Sequence, residues 1–155
     1  MKNMVQEILF VCLGNICRSP IAHAVFQHIV KEKGIADQWV IDSAAVSGRH
    51  NGSPPNSRAR QVLESHNMQC KRRARQIKDE DFNRFDYIFG MDEHNISSLK
   101  DQAPRDCKAK ILLLGDFDPE GDRIIQDPYF ENGTEGFEKC YQQCMRSCTA
   151  FLEQL

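Results

Sequence analysis

The segment ILFVCLGNICRSPIAHAVF, Ile8 to Phe26, limits the possible folds more than any other stretch of the chain. An apolar, β-prone run ends at Cys12, a short segment containing Gly14 and Asn15 follows, and Arg18, Ser19 and Pro20 open a helix. A buried strand that turns into a helix within a few residues begins a βαβ unit, whose second strand must lie parallel to the first.

The hydrophobic period supplies the remaining parts. It predicts strands at Glu7–Val11, Trp39–Ala45, Tyr87–Met91 and Lys110–Leu114. Between and after them lie helical stretches. In Ser19–Lys33, Pro20 suits the first turn, Ile21, Val25, Phe26, Ile29 and Val30 form one stripe, and Gly34 ends the run. Ser57–Asn67 turns Ala59, Val62 and Leu63 inward, and Glu93–Lys100 and Phe137–Leu155 follow. Gly48–Pro55 and the polar stretch Asp116–Gly136 read as loops. The expectation is one α/β domain over residues 1–155, with a four-stranded, parallel, twisted sheet covered by helices on both faces. Ligands of such sheets bind beyond the carboxyl ends of the strands. That rim collects the residues after Cys12, the segment Ser43–Asn51, Asp92, and the long loop after the fourth strand.

Composition narrows the function. Twenty basic and 22 acidic residues give a net charge of −2, which excludes a general nucleic-acid binder. The one basic cluster, Lys71–Arg75, reads either as a solvated surface or helix edge, or as an attractor of an anionic substrate. No run approaches the ~20 apolar residues of a membrane span, and Ile8–Leu13 is too short for a secretion leader. With seven cysteines and no paired spacing, the chain is expected to be cytoplasmic with reduced thiols. Cys144 and Cys148 share a stripe of the last helix with Phe137, Tyr141, Phe151 and Leu155, and Cys140 lies beside it, so these read as core packing. No nearby histidine completes a zinc site, and no metal or cofactor is expected.

Cys12 itself could be another small core residue. Its surroundings argue for chemistry. Cys12-Leu13-Gly14-Asn15-Ile16-Cys17-Arg18 fits C-x5-R. A loop this tight between strand and helix turns successive N–H groups toward one centre, and the helix start adds unpaired amides and a positive dipole end. Arg18 adds a planar fork for two oxygens, so the cup suits a tetrahedral dianion. The same features favour the thiolate of Cys12 as a nucleophile. Attack at phosphorus gives a cysteinyl-phosphate that water then cleaves. The nucleotide-binding pattern G-x4-G-K-[ST] is not matched. A leaving alkoxide or phenoxide needs a proton, and two Asp-Pro pairs are available, Asp118-Pro119 and Asp127-Pro128. Spacing does not choose between them. Tyr129 and Phe130 beside Asp127 favour it as a partner for an aromatic leaving group, whereas Asp118 lies in GDFDPEGD, which reads as a solvated turn.

Together, VCLGNICRSP, DSAAVSG, FDYIFGMDE and IIQDPYF resemble the low-molecular-weight protein tyrosine phosphatases nearly end to end, and LGNIC resembles the eukaryotic type. The resemblance implies a four-stranded parallel α/β fold with its phosphate loop after the first strand. It implies hydrolysis of phosphotyrosine proteins and small aryl phosphates, an acid phosphatase activity, through a cysteinyl-phosphate. Cys12 is then the nucleophile, Arg18 the phosphate clamp and Asp127 the general acid. Leu13 to Arg18 bind phosphate, and Asn15, Ser19 and Ser43 hold the loop in shape. Cys17 matches a cysteine that forms a reversible disulfide with Cys12 under peroxide. Inhibition by phosphate or vanadate and action as a monomer are expected.

The chain departs from the family at Arg72, where animal enzymes often have a loop-supporting histidine, and at Arg49, followed by His50, where an aromatic often lines the pocket mouth. Phe130 replaces a tyrosine of the pocket wall beside Tyr129. Arg49 and His50 lead us to expect a preference for acidic residues near the phosphotyrosine. An arsenate reductase of the same fold needs resolving thiols, and Cys70 and Cys107 do not form the expected close pair. A silent phosphotyrosine-binding module has no need of an acid, and a preference for phosphoarginine meets the apolar branch of Ile16.

Overall fold

The computed structural model describes residues 5–155. The first strand, β1 (Gln6–Cys12), lies inside a parallel sheet of order β2-β1-β3-β4, with β2 at Trp39–Ala45, β3 at Tyr87–Gly90 and β4 at Lys110–Leu113. A strand flanked on both sides and covered on both faces must be apolar without alternation, and Ile8, Leu9, Phe10 and Val11 are fully buried.

The pleat divides that run between two cores. Ile8, Phe10 and Cys12 face α1 (Arg18–Glu32), α2 (Ser57–Ser65) and α5 (Glu135–Glu153). Leu9 and Val11 point to the other side, where Phe82, Phe85, Ile88 and Leu99 gather with α3 (Asp81–Arg84) and α4 (Glu93–Gln102). The larger core centres on Phe151, whose ring packs edge-on against Tyr87 and Phe89, both at 5.0 Å between centroids. Cys140, Cys144 and Cys148 are buried along the same helix, as the stripe in the sequence predicts.

The architecture agrees with the expectation, and the differences are local. Three short elements were not anticipated, the 3-10 turn Ala36–Gln38, the single turn of α3 and the 3-10 turn Leu114–Phe117. The last keeps Gly115 against the backbone of Arg123, where any β-carbon would collide with the carbonyl. The stretch after it is therefore fastened rather than free. Ile125 is fully buried and its N–H donates to the Met91 carbonyl at 3.0 Å.

Two charged segments differ more. The basic cluster Lys71–Arg75 is not a helix edge, and although Lys71, Arg72 and Arg73 are exposed, Arg72 and Arg75 are paired rather than free. The chain there is neither helix nor strand, and Gln76 bridges Ala45 in parallel register. Arg75 grips Asp81 through two bonds of 2.9 and 3.1 Å and reaches Asp42 at 3.2 Å, while Arg72 reaches Asp42 at 3.1 Å. Asp118, expected in a solvated turn, has a fully buried side chain held by Arg146 through two bonds of 3.0 Å. The local pattern of acidic and turn residues could not reveal a partner 28 positions away in α5.

Candidate active site

The carboxyl end of β1 delivers Cys12 to the bottom of the rim, 3 % exposed. The next turn reverses within a few residues, and Asn15 takes the left-handed conformation at φ 56°. Asparagine tolerates this region because its short amide bonds locally. Here the amide donates to Ser19 Oγ at 2.7 Å and its oxygen accepts the Arg75 N–H at 3.2 Å. Ser19 faces the nucleophile, with Oγ 3.1 Å from Cys12 Sγ and its N–H donating to the sulfur at 3.4 Å. The outer side of the loop is tied to the chain after β2, where Val46 and Ser47 N–H groups donate to the carbonyls of Cys12 and Leu13 at 3.0 and 2.9 Å.

Helix α1 starts at this loop. Its N-cap, Cys17, makes no side-chain capping bond, and no acidic residue occupies the first turn. The positive end of the helix is thus left to whatever anion enters the cup.

Arg18 is almost entirely buried and permanently charged, so its donors must be met. Nη1 donates to Asp92 Oδ2 at 2.6 Å and to the Ile125 carbonyl at 2.9 Å, and Nη2 lies 3.8 Å from Asp127 Oδ2. Burial opposes its charge, but negative charge on Cys12 and the carboxylates of Asp92 and Asp127 outweigh it and raise the pKa further. Nε is buried without a protein partner. Asp92 divides its carboxylate: Oδ1 caps α4 by accepting the Asn95 N–H at 2.8 Å, and Oδ2 holds Arg18. Sequence reading placed Asp92 on the rim but gave it no role, since an aspartate before a helix is already explained as a cap.

These groups surround a cavity of about 340 Å³. Its floor is Cys12, Gly14, Ile16, Cys17 and Arg18. The loop after β2 contributes Ser47, Arg49 and His50, and the loop after β4 contributes Asp127, Tyr129 and Phe130, with Leu13 at the edge. His50 lies over Gly14, where a β-carbon would come within 2.9 Å of its ring. Arg49 is exposed and has no acidic partner among the described residues. Phe130 is 90 % exposed, its ring edge-on to Tyr129 at 4.9 Å.

The two Asp-Pro pairs differ in place. Asp127 lines the cavity, and its Oδ1 accepts the Tyr129 N–H at 3.1 Å. Asp118 is absent from the cavity. Burial works to raise its pKa, but the Arg146 fork and the Glu120 N–H prevail and hold it below the usual carboxylate range, so it carries no proton to give.

Cys17 is buried on the cavity floor. Burial, then the negative charges of Cys12 and Asp127, push its thiol far up and keep it protonated. All seven cysteines are free thiols. No group of three metal-ligating side chains occurs among the described residues, and no helix there is long and apolar enough to cross a membrane.

One assignment to loop support needs correction, and the departure at Arg72 has a structural counterpart. The Ser43 hydroxyl pairs with His23 Nδ1 at 3.0 Å rather than with the phosphate loop. Arg72 turns to Asp42, and it is the Arg75 N–H that meets Asn15. Burial drives the His23 pKa down to about 4, against the pull of Asp42 and with a further push from Arg72. His23 stands in no pattern that sequence reading singles out, because its partner Ser43 comes from another element, β2.

A family model described as "Low molecular weight phosphotyrosine protein phosphatase" matches residues 7–155. A human protein of that description is 50 % identical, covering 99 % of this chain and 98 % of its own. Among solved structures, one described as "Crystal structure of Primo-1" superposes with a TM-score of 0.93 at 48 % identity, covering 97 % and 98 % of the two chains. Another, described as "Crystal structure of DARP, drosophila arginine phosphatase", gives a TM-score of 0.91 at 39 % identity over 95 % and 96 %.

Proposed function

The chain belongs to the low molecular weight phosphotyrosine protein phosphatase family, and from that premise we propose that it hydrolyses phosphotyrosine in proteins, and small aryl phosphates, through a cysteinyl-phosphate. The phosphoryl group enters the cup between the amides of residues 13–18 and the Arg18 guanidinium. Cys12 Sγ attacks phosphorus, forming an S–P bond while the bond to the phenolic oxygen breaks. Asp127 gives its proton to the departing oxygen. Water then attacks phosphorus, Asp127 takes the proton, the S–P bond breaks, and inorganic phosphate and the thiolate are released. Ser19, 3.1 Å from the sulfur, stabilises the thiolate as it forms and as it leaves.

The observation that carries this reading is the shared cavity of Cys12, Arg18 and Asp127, with Arg18 fixed by the Asp92 carboxylate. Phosphate and vanadate bind as inhibitors in the same cup. Cys17 serves as a redox guard: peroxide converts Cys12 to a sulfenic acid, and the Cys17 thiol displaces water from it to give a disulfide. Free thiols suit a reducing cytoplasm, and one chain carries every group used, so a monomer suffices.

Substrate choice follows from the walls. Arg49, at the mouth and with no acidic partner among the described residues, favours acidic residues beside the phosphotyrosine, with His50 next to it. The similarity to an arginine phosphatase raises phosphoarginine as a second substrate. The apolar branch of Ile16 on the cavity floor suits a ring rather than a charged guanidinium. Initial rates on matched phosphotyrosine and phosphoarginine peptides test this. Faster turnover of phosphotyrosine is expected, and faster turnover of phosphoarginine would contradict it.

A further inference from the structure

Asp127 stands on a segment with few tethers of its own. Its side chain is a third exposed, Phe130 is almost fully exposed, and residues 127–133 belong to neither helix nor strand. The nearest bond to the carboxylate comes from its own loop, the Tyr129 N–H. An acid set so loosely would wander relative to Cys12.

One side chain from another element corrects this. Arg58, in the first turn of α2, donates Nη2 to the Tyr129 carbonyl at 2.7 Å and Nη1 to the carbonyls of Glu131 and Gly133, the latter at 3.1 Å. Its guanidinium lies over the buried ring of Phe137, 4.6 Å from the centroid, at the start of α5. Three carbonyls spaced two residues apart thus converge on a single planar fork. Two residues before Arg58, Asn56 makes the complementary bond: its N–H donates to the Ile16 carbonyl of the phosphate loop at 2.7 Å. The Asn56 side chain also accepts the Arg58 N–H at 2.9 Å, which fixes the two residues to each other.

The geometry points to the N-terminus of α2 as a positioning clamp, with Asn56 holding the cysteine loop, Arg58 holding the acid loop, and the short helix start setting the distance between them. Arg58 acts through Tyr129, whose N–H in turn orients the Asp127 carboxylate. It touches no substrate. A lysine cannot replace it, because an ammonium has neither the plane to lie on Phe137 nor the spread of donors for three carbonyls. The inference rests on Asp127 being the general acid.

Its test separates the two. Arg58→Met keeps an apolar stem over Phe137 and removes the donors, and Arg58→Lys keeps the charge. In both variants kcat/KM on phenyl phosphate, whose leaving group needs the proton, is expected to fall about 10- to 100-fold, the cost of misplacing a catalytic group. With p-nitrophenyl phosphate, a better leaving group, the fall should stay within about threefold. In an Asp127→Ala background, Arg58→Met should add nothing to the difference between the substrates. Equal losses on both substrates, or none, overturn the clamp. If Asp127→Ala separates the substrates and Arg58→Met does not, the clamp alone fails. If Asp127→Ala does not separate them, the acid assignment fails and the clamp with it.

Discussion

The phosphate loop, residues 12–18, and the acid loop, residues 116–136, meet in one cavity but are built on opposite principles. The first is short and largely buried: Asn15 bonds Ser19 and Ser19 bonds Cys12 within it, and backbone N–H groups of Val46, Ser47, Asn56 and Arg75 fasten it from outside. The second is long, largely exposed, and held by side chains from elsewhere, Arg58 near Asp127 and Arg146 at Asp118. A loop of the first kind presents a rigid anion site before any substrate arrives. One of the second kind can adjust to a bulky protein substrate, yet depends on distant anchors for its accuracy.

Substitutions should separate the two. Cys12→Ser is expected to lose at least about 10⁴-fold in kcat while still binding vanadate, measured by turnover and by titration, because the nucleophile is lost but the cup remains. Asp127→Ala should lose about 10²- to 10³-fold on phenyl phosphate and much less on p-nitrophenyl phosphate. The same split in Asp118→Ala instead would break the comparison, since Asp118 is buried against Arg146 and does not reach the cavity.

Smaller effects concern stability. Arg146→Met leaves the Asp118 carboxylate buried without its partner and should cost about 3 kcal/mol in urea unfolding, with little change in the leaving-group dependence of kcat/KM. His23 supplies a pH signature behind the phosphate loop. Its pKa is about 4 folded against 6.5 as the ordinary value, so between these the unfolded chain binds more protons than the folded one. The stability contributed by neutral His23 is complete above about pH 6.5 and is lost as the pH falls toward 4, by on the order of 3 kcal/mol. His23→Gln should flatten that part of the pH–stability curve, and an unchanged curve would place the titration elsewhere. The smallest effect is at the mouth: Arg49→Ala should reduce the preference for acidic over neutral phosphotyrosine peptides several-fold, and equal preference with and without Arg49 would remove it as a specificity determinant.

The contrast also explains what was legible in the sequence. Strands and helices were recognisable because their apolar period is local, and β1 announced itself by five buried residues in a row from Ile8 to Cys12. The phosphate loop was legible for the same reason, since Cys12, Asn15, Arg18 and Ser19 act on one another within eight positions. Asp127 could be preferred over Asp118 from its aromatic neighbours, whereas the reason Asp118 is unsuited, Arg146, lies far along the chain. Arg58 and His23 were not singled out, and Asp92 was placed on the rim without a role, because each is an ordinary residue until the fold brings its partner. Ser43 was placed by likeness to relatives, and in this chain His23 has taken it as a partner instead; Arg72, already marked as a departure, pairs with Asp42.

The account stands on Cys12 as the nucleophile that carries the phosphoryl group. Acid quenching of the protein during turnover of a radiolabelled aryl phosphate, followed by peptide mapping, tests this directly. The prediction is a single labelled peptide bearing phosphate on Cys12, with no label in Cys12→Ser. Full turnover with no labelled peptide, or label on another residue, would contradict it.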